Sequence, residues 1–210
     1  ELAGSAPSLA ATANLFLGSE QGWLAAMATD DPIRPDADAA IAGIRAKGLH
    51  THLLSGDRLD RVVEIAETLR FSPRCVRAAC MPVAKLAYAE QLAAEAAGII
   101  AVGDGVNDAP LMGKAHVSIA MGRGADLTRL TADAVLMSGR LMPLLTARRV
   151  AVKMNRIIRQ NFAWAIAYNA IALPLAMGGW LSPAWAAIGM ATSSLIVVGN
   201  SLRLLRDRVD

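Results

Sequence analysis

The spacing of apolar positions changes along the chain, and each change marks an element. Two short apolar runs, Asn14-Leu15-Phe16-Leu17-Gly18 and Trp23-Leu24-Ala25-Ala26-Met27-Ala28, predict two strands around a glycine-containing turn. Asp30-Asp31-Pro32-Ile33-Arg34-Pro35 ends that pattern with two prolines. From 36 to 47 the residues Ala40, Ile41 and Ile44 fall at helical spacing, and Gly48 is the stop. Leu49-His50-Thr51-His52-Leu53-Leu54 reads as a strand that runs into Ser55-Gly56-Asp57. Val62, Val63, Ile65, Ala66 and Leu69 form the apolar stripe of a helix over 57–70. Cys75-Val76-Arg77-Ala78 predicts a short strand. Met81-Pro82 opens a helix carrying Lys85, Leu86, Leu92 and Ala96, because a first-turn proline forfeits no helical hydrogen bond. Gly98-Ile99-Ile100-Ala101-Val102 predicts a buried strand, 117–122 a second and 134–137 a last, with a short helix over 125–131. Strands alternating with helices predict an α/β fold, a parallel sheet with helices on both faces.

Past 140 the pattern changes character. Residues 141–160 form one basic helix, punctuated by Arg148, Arg149, Lys153, Arg156 and Arg159. Two apolar runs follow, 162–181 and 183–202, each about the 20 residues that a membrane-spanning helix needs. Neither contains Asp, Glu, Lys or Arg. Basic residues lie before the first run and after the second (Arg203, Arg206, Arg208), which places both ends on the cytoplasmic side. Trp180 and Trp185 flank the short outer turn as interface aromatics. The bland alternative is a buried core hairpin. Composition agrees with the membrane reading: 54% of the 210 residues are hydrophobic, above the roughly 45–50% of ordinary globular domains, and the excess collects after Phe162. The net charge of +3 comes partly from basic residues beside the apolar runs, so no nucleic-acid partner is expected. Cys75 and Cys80 have no second pair and fit no standard zinc spacing, so they read as small hydrophobes. His50 and His52 are read as a strand-face pair, open between a metal pair and surface histidines. The chain starts with Glu1 and carries no signal-peptide pattern there, which suggests a piece of a longer polypeptide.

Candidate chemistry centres on Val102-Gly103-Asp104-Gly105-Val106-Asn107-Asp108-Ala109-Pro110. Asp104 falls at the carboxyl end of a predicted strand, where open α/β sheets place ligands. The glycines let a charged ligand approach the backbone, and Asn107 can cap a short helix. Asp104 and Asp108 suit a hard, oxygen-seeking cation such as Mg2+, which neutralises phosphate. Ser55 stands at another strand end, followed by Gly56 and Asp57, and Lys85 lies in the next helix. A hydroxyl and backbone N–H groups to hold phosphoryl oxygens, a lysine to offset charge and carboxylates for Mg2+ are the parts of phosphoryl transfer. Singly, each also has an ordinary reading as a turn serine, a solvated lysine or solvated aspartates.

In this order, the residues resemble the C-terminal portion of a P-type cation-transporting ATPase. Ser55-Gly56-Asp57 looks like that family's T-G-D segment, with Ser keeping the hydroxyl, and Asp31-Pro32-Ile33-Arg34-Pro35 resembles its D-x-x-R-P segment. Lys85 matches the lysine that follows a proline, and Gly103 to Pro110 matches G-D-G-x-N-D-A-P. Tyr168-Asn169 and Met190-Ala191-Thr192-Ser193-Ser194 look like the Y-N and M-x-x-S-S elements of the copper-type heavy-metal branch. Ala115-His116-Val117-Ser118-Ile119 departs from the commoner A-D-V-G-I. With 158–162 and 200–204, it looks most like the copper exporters of cytochrome-oxidase assembly.

The resemblance implies a haloacid-dehalogenase-like phosphorylation domain over 30–140, after a remnant of a nucleotide-binding domain and return linker over 1–29. It implies a basic stalk helix over 141–160, two transmembrane helices over 161–205 and a cytoplasmic tail over 206–210. Ser55, Gly56, Asp57, Lys85 and Asn107 would bind the phosphoryl group, and Asp104 and Asp108 would bind Mg2+. Tyr168, Asn169, Met190, Ser193 and Ser194 would bind the transported cation, with the Met190 thioether suited to Cu(I). ATP would be the energy source of the whole protein, in a multi-pass bacterial inner or plasma membrane, with the soluble domain cytoplasmic. Expected partners are the lipid bilayer, the actuator and nucleotide-binding domains, the other membrane helices and a copper chaperone. The acceptor aspartate of D-K-T-G-T and the C-P-C motif are not in these 210 residues, so the chain alone is expected not to hydrolyse ATP. The rival readings are a non-catalytic membrane-anchored interaction module and a membrane-anchored phosphatase of the same fold, although no D-x-D closes an apolar run here, as the latter's nucleophile motif would.

Overall fold

The computed structural model describes residues 15–19, 22–27, 32–103, 108–122 and 132–205. The chain divides into two compact units, 1–34 and 35–210. In the first, β1 (Leu15–Ser19) and β2 (Gly22–Met27) form an antiparallel hairpin with an irregularity between Leu17 and Gly18. Gly22 sits at φ 130°, a conformation that favours glycine, and Phe16 and Trp23 meet edge to face at 5.6 Å. Most of the hairpin's large apolar side chains stay exposed, so the pair encloses no core.

In the second unit the elements alternate as expected. They are α1 (Ala37–Arg45), β3 (Leu53–Leu54), α2 (Leu59–Thr68), β4 (Val76–Arg77), α3 (Pro82–Glu95), β5 (Ile100–Gly103), α4 (Ala109–Met112), β6 (Val117–Met121) and β7 (Ala134–Leu136). Every strand pairing in this unit is parallel. The strands form two sheets rather than one, β3-β4 and β5-β6-β7. β6 is central and buries Ser118 through Met121, and a small core of Ala101, Met112 and Ala120 lies beside it. Among the described residues β5, expected as a buried strand, pairs with β6 on one side alone; Ala101 is buried, while Ile100 is 57% exposed. Gly122 follows β6, and a Cβ there would lie 2.6 Å from the Leu136 carbonyl oxygen, so this close approach needs glycine.

The strand expected over 49–54 shrinks to two residues. Before it, side chains rather than a ladder fix the chain. Arg45 Nε donates to Thr51 Oγ1 at 2.8 Å and Nη1 to the Leu69 carbonyl at 3.1 Å, with the guanidinium stacked on Phe71. His50 and His52 therefore do not share a strand face. His52 Nδ1 lies 3.0 Å from the Tyr88 hydroxyl, and Arg77 stacks on the same tyrosine. Burial, then the His50 and Arg77 charges, hold His52 below the usual histidine pKa. Cys75 closes a short 3-10 turn (Pro73–Cys75), and neither it nor Cys80 is disulfide-bonded. The helix expected over 125–131 lies outside the described residues.

The basic stretch and the first apolar run form one uninterrupted helix, α5 (Pro143–Met177), of 35 residues. Gly178 and Gly179 end it, the latter at φ 74°, and α6 (Pro183–Ser201) returns alongside. Beyond position 160 the half-buried positions of α5 are Asn161, Ala165, Tyr168 and Ala172; facing them on α6 are Ala186, Gly189, Ser193, Val197 and, at the last turn, Asn200 and Ser201. Steps of three and four define one seam on each helix, and its small residues let the backbones approach. Among the described residues, Pro183–Leu204 is the helix long and apolar enough to cross a membrane, with mean hydropathy 1.3 and none of its apolar window buried. Asn161, Asn169, Trp164 and Tyr168 lower the hydropathy of the α5 run, which does not reach that mark.

Candidate functional site

Pro82 starts α3, which places Lys85 in its first turn, only 8% exposed. A lysine is this buried only when paired. Its Nζ donates to Asp108 Oδ1 at 2.7 Å. Asp108 itself occupies the N-cap position of α4, where Asn107 was expected to cap. It makes no side-chain cap bond there, because its carboxylate is turned to Lys85 instead. Gly103 closes β5 directly beneath: a Cβ on it would lie 2.9 Å from both Cβ and Oδ2 of Asp108. The end of β5, the start of α4 and the first turn of α3 thus converge on one carboxylate, and the missing Gly103 side chain makes room for it. Asp104 and Asn107 lie outside the described residues.

The Ser55-Gly56-Asp57 turn follows β3. Ser55 N–H donates to the Arg77 carbonyl at 3.0 Å, and its own carbonyl accepts from Cys80 N–H at 2.8 Å. Ser55 Oγ accepts from Asp57 N–H at 3.1 Å, and Asp57 Oδ1 accepts from Arg58 N–H at 2.8 Å. Ala79 N–H donates to the Asp57 carbonyl, with Ala79 held at φ 49°. The turn is therefore strapped to the residues just ahead of α3, and through them to the helix that carries Lys85. No hydrogen bond joins Ser55 or Asp57 directly to Lys85 or Asp108 among the described residues. Gly56 is exposed, with only the Cys80 carbonyl within 4 Å of a built Cβ, so its backbone is open to a ligand.

The five residues expected to bind the transported cation are not gathered. Tyr168 and Ser193 lie in the seam: the Tyr168 hydroxyl is 2.9 Å from where a Gly189 Cβ would stand, and Ser193 Oγ accepts from Trp164 Nε1 at 3.0 Å. Asn169, Met190 and Ser194 are exposed, Met190 by 64%. Asn169 Nδ2 donates back to the Ala165 carbonyl and Ser194 Oγ to the Met190 carbonyl, each one turn earlier on its own helix.

Two polar clusters were not anticipated from sequence. One joins the helices at the basic end of the hairpin. Asn200 Nδ2 donates to Asn161 Oδ1 at 2.8 Å, Asn161 Nδ2 to Ser201 Oγ at 3.1 Å, and Arg203 Nη1 to Asn200 Oδ1 at 2.8 Å. Lys153 Nζ reaches the Arg203 carbonyl at 2.8 Å. Asn at both ends of otherwise apolar runs was the available signal. The other cluster lies in the sheet. Ser118 Oγ and N–H both donate to Asp133 Oδ2, at 2.7 and 2.8 Å, and Asp133 N–H returns a bond to Ser118 Oγ. The Ser118 side-chain bond, then its backbone bond, hold the Asp133 carboxyl below its usual pKa.

With this geometry in hand, known proteins give the frame. Residues 3–116 match the family model described as haloacid dehalogenase-like hydrolase. The chain belongs to the haloacid dehalogenase-like hydrolases. Within them it is homologous to P-type ATPases. It is 42% identical over 175 residues to the nitrogen fixation protein FixI of Rhizobium leguminosarum bv. viciae, covering 83% of this chain and 23% of that protein. It is 36% identical over 202 residues to the "Probable copper-transporting ATPase SynA" of Synechococcus sp., covering 93% of this chain and 26% of that one. The crystal structure of a zinc-transporting PIB-type ATPase in its E2.Pi state superposes with a TM-score of 0.80 at 33% identity, over 89% of this chain and 30% of that one. The chain thus spans about a quarter of the length of the curated relatives it matches.

Proposed function

We propose that this chain is part of an ATP-driven heavy-metal pump that exports Cu(I) across a membrane through an aspartyl-phosphate. The observation that carries this reading is the buried Lys85–Asp108 pair seated on Gly103, a charge arrangement built around phosphoryl chemistry. The relatives' names support the heavy-metal assignment. The edges of β3 and β5, unpaired among the described residues and with Ile100 exposed on the latter, support a fold completed by chain from elsewhere in the pump. On this reading, 30–140 is the phosphorylation domain, 141–160 the stalk, and 161–205 a hairpin in the bilayer that meets other membrane helices of the same pump.

The residues do separate jobs. Lys85 offsets negative charge on the phosphoryl group and holds Asp108 in place. Gly56 presents backbone N–H to phosphoryl oxygens, and Ser55 and Asp57 fix that turn. Asp108 fits Mg2+: its donors are hard carboxylate oxygens, and Oδ2 carries no hydrogen bond among the described residues, with Asp104 as the second expected ligand. Bound there, Mg2+ would supply charge neutralisation for the phosphoryl oxygens. The acceptor aspartate would come from outside these 210 residues. Tyr168, Asn169, Met190, Ser193 and Ser194 would line the Cu(I) path once further helices cover the exposed ones. The absence of any charged residue in both apolar runs favours Cu(I) over Zn2+.

The test uses the intact pump in sealed vesicles. Cu(I)-stimulated phosphoenzyme formation from ATP, lost in Asp108→Ala, together with Cu(I) movement away from the ATP side, is the expected result. Phosphoenzyme formation undiminished in Asp108→Ala would remove the role given to that pair, and stimulation by Zn2+ alone would overturn the metal.

A further inference from the structure

Asp36 stands at the N-cap position of α1, where an Asp side chain ordinarily accepts an N–H from its own first turn. It makes no such bond. Oδ2 instead accepts the backbone N–H of Leu141 at 2.7 Å and of Met142 at 2.8 Å, more than one hundred positions further along the chain. These are the last two residues before α5, whose own N-cap, Met142, offers no side-chain cap. The start of a 35-residue helix presents unpaired N–H donors and the positive end of a macrodipole, and a carboxylate answers both. The other oxygen, Oδ1, is buried with no hydrogen-bond partner among the described residues. Leaving a buried acceptor unmatched is costly, and the two remote bonds to Oδ2 are what offsets that cost.

Two further contacts extend the join along both helices. The Leu145 side chain packs so tightly on Gly43 that a Cβ there would lie 2.5 Å from Leu145 Cδ1. Arg148 Nη2 donates to the Lys47 carbonyl at 3.4 Å. Positions 36, 43 and 47, in and flanking α1, thus meet 141–142, 145 and 148, just before and within the first turns of α5, in the same order.

We propose that Asp36 is the positioning residue that fixes α5 to the α/β unit, so that rearrangement around the Lys85–Asp108 pair is passed to the membrane hairpin. This rests on the pump reading above. No hydrogen bond joins Asp36 to Lys85 or Asp108 among the described residues. Its loss would therefore leave phosphorylation in place and weaken the link between phosphorylation and transport.

The experiment compares the unsubstituted pump, Asp36→Ala and Asp36→Asn in sealed vesicles, measuring phosphoenzyme from ATP and Cu(I) moved per ATP hydrolysed. The expected result for Asp36→Ala is phosphoenzyme within about twofold of the unsubstituted level and Cu(I) per ATP reduced by about fivefold or less, within the range that single substitutions between coupled sites produce. Asp36→Asn keeps an acceptor oxygen and recovers most of the ratio. An unchanged ratio in Asp36→Ala, or a fall in phosphoenzyme equal to the fall in transport, would overturn the proposal. Amide exchange in the same preparations gives an independent reading. Faster exchange at Leu141 and Met142 in Asp36→Ala, with β6 unaltered, supports the join, and unaltered exchange at those two amides overturns it. If the unsubstituted pump neither phosphorylates nor moves Cu(I), the pump reading fails, while the exchange result still decides whether Asp36 holds α5.

Discussion

The two chemical regions of the molecule differ in how far each is finished within this chain. In the α/β unit, Lys85 and Asp108 meet at 2.7 Å, largely out of solvent, with Gly103 shaped to admit the carboxylate. In the helical pair, Asn169, Met190 and Ser194 face outward, and both Asn169 and the Ser194 hydroxyl bond back to their own helix. The difference follows from the chemistry handled. Charges in a protein interior need immediate partners, so the ion pair closes locally. Neutral amide and hydroxyl groups can satisfy themselves one turn back, and a thioether needs no partner, so none of them has to close on a neighbour within this chain.

The contrast can be broken most forcefully at the ion pair. Asp108→Ala leaves Lys85 buried without its partner and should cost about 3 kcal/mol, concentrated in α3 and β5, where faster amide exchange would report it. Equal loosening of α5 and α6 would mean that the two regions are not separable. In the hairpin the most sensitive position is Gly189. A Leu there would collide with the Tyr168 hydroxyl and cost about 1–3 kcal/mol, read as loss of cross-linking between cysteines placed at 161 and 200, with the α/β unit untouched.

Acidification should separate the regions by pH. His52 is held below its usual pKa, so its share of stability is full above the unfolded value of about 6.5 and is lost as pH falls through the lower folded value. Asp133 is likewise depressed, so its share is present above the unfolded carboxyl value and disappears only in stronger acid. Thermal melts of the α/β unit should show both acid steps. His52→Phe should remove the first and Ser118→Ala should weaken the second, while the hairpin's helicity stays constant. The smallest expected effect sharpens the comparison: Met190→Leu should change stability by less than about 0.5 kcal/mol, since the side chain is exposed. The same substitution should abolish Cu(I)-stimulated hydrolysis in the pump.

The alternation of strands and helices was legible because each element carries its own period, and the Gly103-to-Pro110 string marked the strand-to-helix turn where Asp108 sits. What escaped were features that depend on distant neighbours. Ile100 and Val102 are apolar enough for a buried strand, yet burial needs covered faces and neighbours on both edges, and among the described residues β5 has a strand on one side. His50 and His52 alternate as strand residues do, but Arg45 and Tyr88 anchor that stretch through side chains before a ladder forms. Gln160-Asn161 looked like a border between stalk and span. With neither glycine nor proline there, the helix runs straight through. Asp36 was placed correctly at the start of α1, but local capping rules cannot foresee a carboxylate that serves a helix a hundred residues away.

The continuity of α5 has a mechanical consequence. At about 1.5 Å per residue it is a rod about 50 Å long. It contains no glycine, and its one internal proline, Pro174, lies near the far end. Between Pro143 and that proline nothing in the sequence invites a bend. A tilt of about 5° at the Asp36 end would therefore swing the distal turns by about 4 Å, roughly the thickness of a methylene chain. The molecule carries its own amplifier, and the gain is set by the number of residues between the anchored end and the first proline.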